Sequence, residues 1–218
     1  MRIIEVTTNS VVAELEEIAA AIKKNCGPYL KALGGEISKY KLYRGLAGES
    51  FNMDDILMLK CPVNRQPHDV PIIVHNISDQ YFLKQSGVRF RSNAFFATGD
   101  PREAEMYGRA ADGVDAVFFP CGQFKFCWSP IVHDFFAEFS ENFNTEHWGN
   151  NSADLRYIED RGKLFAQDVL KFVASKKYKY NDLIAAIESK HEVMVHCKTA
   201  LMLNSEMAHR LPYIQACM

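Results

Sequence analysis

Residues 89–108 read RFRSNAFFATGDPREAEMYG, and the rest of the chain is organised around them. The stretch opens with a strand-like alternation, passes a small turn, Ala97-Thr98-Gly99, and closes in a short helix. The helix signals are complete. Asp100 suits the N-cap, Pro101 the first helical position, Glu103 completes a D-x-x-E capping box, and Gly108 offers a left-handed stop. A strand end that meets a helix N-terminus turns backbone N–H groups and small side chains toward a cleft, where an anionic or phosphate-bearing ligand can approach. The same residues also fit a core strand packed on a surface helix.

The chain around this stretch has 218 residues, 48% hydrophobic and 24% charged, the balance of a globular protein able to bury a core without staples. A net charge of −2 and a pI near 6.4 make no general electrostatic case for nucleic acid or a membrane surface. The run Lys176, Lys177, Lys179 reads as a solvated face. The opening MRIIEVTTNS is too short and polar for a signal peptide, and no apolar run reaches spanning length. Six cysteines are scattered without a C-x-x-C pair, a pattern that suits reduced, buried thiols in a cytoplasm. With no H-E-x-x-H and no zinc-like Cys/His cluster, no metal is expected.

Taken in order, residues 2–7 predict a short strand and Val11 to Lys24 an amphipathic helix ended by Gly27-Pro28. A second helix is predicted over Tyr29 to Leu33, then a short strand over KLYRG, residues 41–45. Loops surround one apolar piece, Ile56 to Cys61; Pro71 to His75 predicts a buried strand and Ser78 to Gln85 a helix. VDAVFFP (114–120) and QFKFCWS (123–129) read as two strands of a hairpin turning at Cys121-Gly122. Phe90 to Phe143 promises a bulky aromatic core. Residues 144–151 read as loop, Ser152 to Ser175 as the longest helix, and Asn181 as the cap of a helix over Asp182 to Ser189. EVMVHC (192–197) is the last clear strand, and the tail from Leu203 has no firm periodicity. Helices at both ends and strands in the middle, without regular βαβ alternation, predict an α+β fold.

Three strand-associated features carry the chemistry: Arg44 beside Gly45 in KLYRG, the FATGDPREAEMYG segment, and Glu192 opening EVMVHC. An Arg at a strand end can be an edge charge or a guanidinium fork aimed at phosphate or carboxylate. A carboxylate at the mouth of an apolar strand faces solvent or needs a donor. In this order the three resemble the core of the ADP-ribosyltransferase superfamily, in the branch whose signature is Arg, then Ser-Thr-Ser, then Glu. The resemblance spans about residues 40 to 200. It implies a single domain, 1–218, with a split, mostly antiparallel sheet: a helical cap over 1–40, an NAD-binding core over 41–200 and a tail over 201–218. Two departures stand out. The turn is Ala97-Thr98-Gly99, with Ser92 the nearest further hydroxyl, and Lys190 occupies the position two before Glu192 where the family often has Glu or Gln.

The resemblance implies transfer of ADP-ribose from NAD, used as a substrate, to a macromolecular acceptor, protein rather than nucleic acid, in a cytoplasm, in the manner of a bacteriophage effector. Glu192 would stabilise the oxocarbenium-like charge on the ribose. Arg44 and Gly45 would border the dinucleotide, and Thr98 or Ser92 would set the rotamer of Glu192. Phe96, Tyr107 or Trp128 would offer a ring to nicotinamide. Two other readings stay open: a binding protein on a decayed version of the fold, motivated by the missing hydroxyls, and a cysteine-dependent hydrolase using Cys121 or Cys127 with His133.

Overall fold

Two long antiparallel strands, Val114–Trp128 and Glu192–Asn204, form the spine of the protein. The structure, a computed structural model, describes residues 3–47, 56–67, 70–110, 112–143 and 165–218. In chain order these form α1 (Ile3–Asn25), α2 (Gly27–Ala32), β1 (Leu42–Leu46), β2 (Ile56–Lys60), α3 (Ile72–Ser86), β3 (Phe95–Thr98) and α4 (Pro101–Arg109). Then come β4 (Val114–Trp128), α5 (Phe135–Phe143), α6 (165–175), α7 (Leu183–Glu188), β5 (Glu192–Asn204), a 3₁₀ turn (Ser205–Arg210) and α8 (Leu211–Ala216). The predicted loop over 144–151 and the first part of the predicted helix, 152–164, lie outside the described residues.

The five strands form one antiparallel sheet, and the fold is α+β as expected. The first half of β5 runs between β3 and the second half of β4. Its second half runs between β2 and the first half of β4, whose other edge carries β1. A Tyr43–Thr98 pairing closes β1 onto β3. Two cores result. One packs β1 and the sheet against α1, α2 and the C-terminal turn and helix through Ile22, Tyr29, Leu42, Phe118 and Ile214. The other is the aromatic core, with Phe82, Phe90, Phe135, Phe139 and Phe172 under α3, α5 and α6. Edge-to-face pairs such as Phe82–Tyr178 and Phe143–Phe172 stitch it together.

The structure differs from the sequence reading at several elements. Residues 3–7 belong to α1, not to a strand, because a nucleated helix propagates through residues of weak preference. Pro71 to His75 is not a strand: Pro71 sits at the N-cap of α3, and Val74, Ser78 and Phe82, spaced by four, are buried on one helical face. The hairpin at Cys121-Gly122 is instead a bulge inside one 15-residue strand. There Cys121 pairs with Thr199 and Phe124 with Cys197, so β4 carries one extra residue, and Gly122 takes φ +65. Residues 89–93 form a turn before β3. Gly108 does not stop α4; it lies in its last turn, where a Cβ would come within 2.6 Å of the Val114 carbonyl. Asp182, not Asn181, caps α7, accepting from the Ala185 amide at 3.1 Å. The supposed tail continues β5 to Asn204 and then buries Met207, Leu211 and Ile214.

Candidate active site

A cleft of about 500 Å³ lies between β1, the end of β3, α4 and the start of α5. Five of the six residues singled out from the sequence line it: Arg44, Gly45, Thr98, Tyr107 and Glu192. The pairing register explains the meeting. Thr98 lies directly opposite Glu192 across β3 and β5, so both side chains share a face with Phe96, while the alternate residues Ala97 and Val193 turn into the first core. Gly45 lets β1 lie against α4, since a Cβ there would come within 2.5 Å of the Gly108 amide nitrogen. Asp100 caps α4 by accepting from the Arg102 amide at 2.9 Å, as the sequence predicts.

The sixth residue, Ser92, stands behind the wall. It is buried, its hydroxyl donates to Asp79 Oδ2, and His75 Nε2 lies 2.8 Å from it. Neither hydroxyl proposed as the partner of Glu192 reaches it. Thr98 Oγ1 donates to the Lys190 carbonyl at 2.9 Å and accepts from the Asp100 amide at 3.0 Å. The partner of Glu192 is Arg91, whose Nη1 donates to Oε1 at 3.0 Å. The Glu192 amide donates to the His133 carbonyl at 2.9 Å, which fixes the strand end beside the segment leading into α5.

Two further arginines complete a cationic wall. Arg44 Nη1 donates to the Phe96 carbonyl at 2.7 Å. Arg65 lies flat over the Phe96 ring, its guanidinium carbon 3.6 Å from the centroid, and donates to the Arg91 carbonyl at 3.0 Å. Burial lowers both Arg44 and Arg65 to about 10, and the neighbouring guanidinium groups push Arg65 the same way. Both remain cationic at neutral pH. Burial raises the Glu192 carboxyl above its ordinary value; Arg91 and Arg65 oppose the rise and Asp134 adds to it. The buried Nε atoms of Arg44 and Arg91 have no hydrogen-bond partner among the described residues.

No family model, curated protein or solved structure matches this chain. What the cleft can do therefore follows from its own chemistry. Its opposite lip carries Tyr107, 57% exposed, whose hydroxyl donates to Asp134 Oδ2 at 3.1 Å. Of the three rings weighed from the sequence, Phe96 and Tyr107 line the cleft, whereas Trp128 is buried in the first core with its indole N–H on the Asn181 carbonyl. Cys121 and Cys127 lie outside the cleft. Cys121 Sγ sits 3.7 Å from Cys26 Sγ, and burial pushes the Cys127 thiol well up.

Sequence reasoning missed Arg65, Arg91 and Asp134. Arg91 left a trace, a cation between the fully buried Phe90 and the buried Ser92. Asp134 left another, an N-cap residue before a phenylalanine-rich helix, and its Oδ1 does accept from the Ala137 amide at 2.8 Å. Arg65 sits in a Pro- and Asn-containing loop and left none.

Proposed function

We propose that this chain is an ADP-ribosyltransferase that cleaves NAD in the cleft and passes ADP-ribose to a protein acceptor in a cytoplasm. The reading rests on the fold type that the sequence resembles, and one observation carries it. Arg44, Thr98 and Glu192, remote in sequence, meet in a cleft that also gathers Arg65 and Arg91. Cationic forks with free buried N–H groups suit a pyrophosphate, and the Glu192 carboxylate paired to one of them suits a developing sugar cation. A volume near 500 Å³ is in the range of small-molecule sites.

In this reading Arg44 and Arg65 hold the two phosphates, and Tyr107 borders the nicotinamide end of the cleft. The bond between the ribose C1′ and the nicotinamide nitrogen breaks with its electron pair going to nicotinamide, which leaves neutral. Glu192 stabilises the positive charge that builds on the ribose ring and holds its hydroxyls. An acceptor nucleophile then bonds to C1′ and gives up its proton. Because Lys190 stands where the family often carries a carboxylate, the acceptor is not inferred from that position.

The second reading, a binding protein that no longer cleaves NAD, draws on Thr98, whose hydroxyl is spent on Lys190 and Asp100 rather than Glu192. Labelled NAD with cell extract separates the two. Nicotinamide release and label transfer, both abolished by Glu192→Ala and weakened by Arg44→Ala, support the transferase. NAD binding by calorimetry without nicotinamide release supports the binding protein.

A further inference from the structure

Among the described residues, no hydroxyl hydrogen-bonds the carboxylate proposed for catalysis. Ala97 has none, Thr98 is engaged with Lys190 and Asp100, and Ser92 is engaged with Asp79. Gly99 cannot be exchanged for serine, because a Cβ there would lie 1.8 Å from the Ile187 carbonyl oxygen. Arg91 takes that place. Its Nη1 lies 3.0 Å from Glu192 Oε1, and the two side chains are only 9% and 14% exposed.

The arginine is itself held by two rings and through its backbone. Its guanidinium carbon lies 4.6 Å from the centre of the Phe96 ring, which lines the cleft, and 4.4 Å from that of Phe135, which is buried in the aromatic core. Its backbone amide donates to Asp79 Oδ1 at 2.7 Å, and the Ser92 amide reaches the same oxygen at 3.3 Å. Asp79 is in turn 3.6 Å from His75 Nε2, one helical turn back along α3. Three buried polar side chains beneath a single turn are costly unless satisfied, and here they satisfy each other and the turn that carries Arg91.

We infer that Arg91 is the positioning residue of this site: clamped between Phe96 and Phe135 and anchored through Asp79, it sets the orientation of the Glu192 carboxylate, the task that hydroxyls perform in the family this chain resembles. The inference rests on the transferase reading of the cleft. Around Glu192 the other charged or titratable groups are Arg65, Asp134, Tyr107, Tyr178 and Cys127.

The test is steady-state NAD cleavage by wild type, Arg91→Gln and Arg91→Lys over a pH series, with thermal unfolding as the check on folding. Removing the cation takes away the main influence holding the Glu192 carboxyl down, so the acid limb of the kcat profile moves to higher pH. Arg91→Gln is expected to lose about 100-fold in kcat with KM within about threefold, and Arg91→Lys to recover about tenfold of that loss. An unchanged acid limb and kcat overturn the inference, as does a loss confined to KM, which would make Arg91 a phosphate ligand. Should Arg91→Gln fail to fold, the kcat of Arg91→Lys decides: the charge is kept and only the fork geometry is lost, so an unchanged kcat overturns the inference. If wild type does not cleave NAD, the transferase reading falls by itself. The positioning claim is then judged by carbon-13 NMR titration of Glu192, whose midpoint must rise in Arg91→Gln and stay near the wild-type value in Arg91→Lys.

Discussion

Gly99→Ala tests the junction on which the site is built. An added Cβ would meet the Ile187 carbonyl oxygen at 1.8 Å and its carbon at 2.8 Å. Real Cβ atoms essentially never approach a heavy atom closer than 3.0 Å, so going from 1.8 Å to that floor takes a shift of about 1.2 Å. The obstacle is backbone at the end of α7, so no rotamer change relieves it. The shift must be taken by the turn after β3 or by α7, and both are tied to the cleft. Thr98 Oγ1 bonds the Lys190 carbonyl at 2.9 Å and the Asp100 amide at 3.0 Å, and Lys190 lies two residues before Glu192. Overpacking of this kind costs about 1–3 kcal/mol, and loss of the two hydrogen bonds adds about 1 kcal/mol each. A total of about 3–5 kcal/mol corresponds to a fall in Tm of roughly 10 °C for a domain of this size.

The assay is urea unfolding of Gly99→Ala beside Gly27→Ala, whose added Cβ meets nothing within 4 Å. Gly27→Ala is expected to stay within about 1 kcal/mol of wild type. Truncating the neighbouring side chain, Ile187→Ala, is expected not to rescue Gly99→Ala, since the clash is with the carbonyl. If Gly99→Ala unfolds within about 1 kcal/mol of wild type, the contact between the turn and α7 is wrong, and with it the reason the third hydroxyl of the turn is missing.

Three other expectations concern the cleft and the cysteines. Glu192→Gln keeps an acceptor for Arg91 and removes a carboxylate that burial disfavours, so it is expected to be inactive yet at least as stable as wild type at neutral pH. Because the folded carboxyl titrates above its unfolded value, wild type recovers stability as pH falls through the folded value, and the gap measured by urea unfolding closes. Removing one partner of the Arg91–Glu192 pair, as in Glu192→Met, is expected to cost about 2–4 kcal/mol, whereas Arg91→Met with Glu192→Met returns to within about 1 kcal/mol of wild type; denaturant unfolding of the cycle decides. Mild alkylation should label the exposed Cys217 first and half-buried Cys61 next, leaving NAD cleavage unchanged, because neither lines the cleft; mass spectrometry and nicotinamide release check both. Loss of activity under those conditions would revive the cysteine-dependent reading.

The parts of the fold that were legible in the sequence are those whose signals are local. Asp100 and Pro101 mark the start of α4, the spacing from Val11 to Ile22 marks α1, and the apolar run from Val193 marks β5. What misled was long-range. Gly122 reads as a hairpin turn until a partner strand as long as β5 is present to pair with both halves of β4. Pro71 to Val74 is apolar enough for either a strand or a helix, and only the burial of Ser78 and Phe82 one and two turns later decides it. The same holds for the site. Thr98 ends β3 and Glu192 opens β5, whereas Arg44, which the sequence reads as near a strand end, is the middle residue of β1; the three can still be picked out in order. Which group would hold Glu192 depends on register and on the α3 face that anchors Arg91, and neither is written locally.

Stability alone does not explain the composition of the cleft. A guanidinium pair and a carboxylate held largely away from water cost free energy that packed apolar residues of similar volume would not. The pairing of Arg91 with Glu192 offsets part of that cost, but Arg44 has no carboxylate partner among the described residues and donates only to a backbone carbonyl. Arg65 is likewise spent on a carbonyl and a ring face. Two cations without a carboxylate partner among the described residues are thus brought beside the Arg91–Glu192 pair, whose carboxyl burial pushes up. A fold that bears this cost gathers Arg44, Arg65, Arg91 and Glu192 at a cleft that Glu103 and Asp134 also line. On the proposed transferase reading, a ligand with more than one negative charge would engage the two arginines that lack a carboxylate partner, and Glu192 would face the part of that ligand that becomes positive.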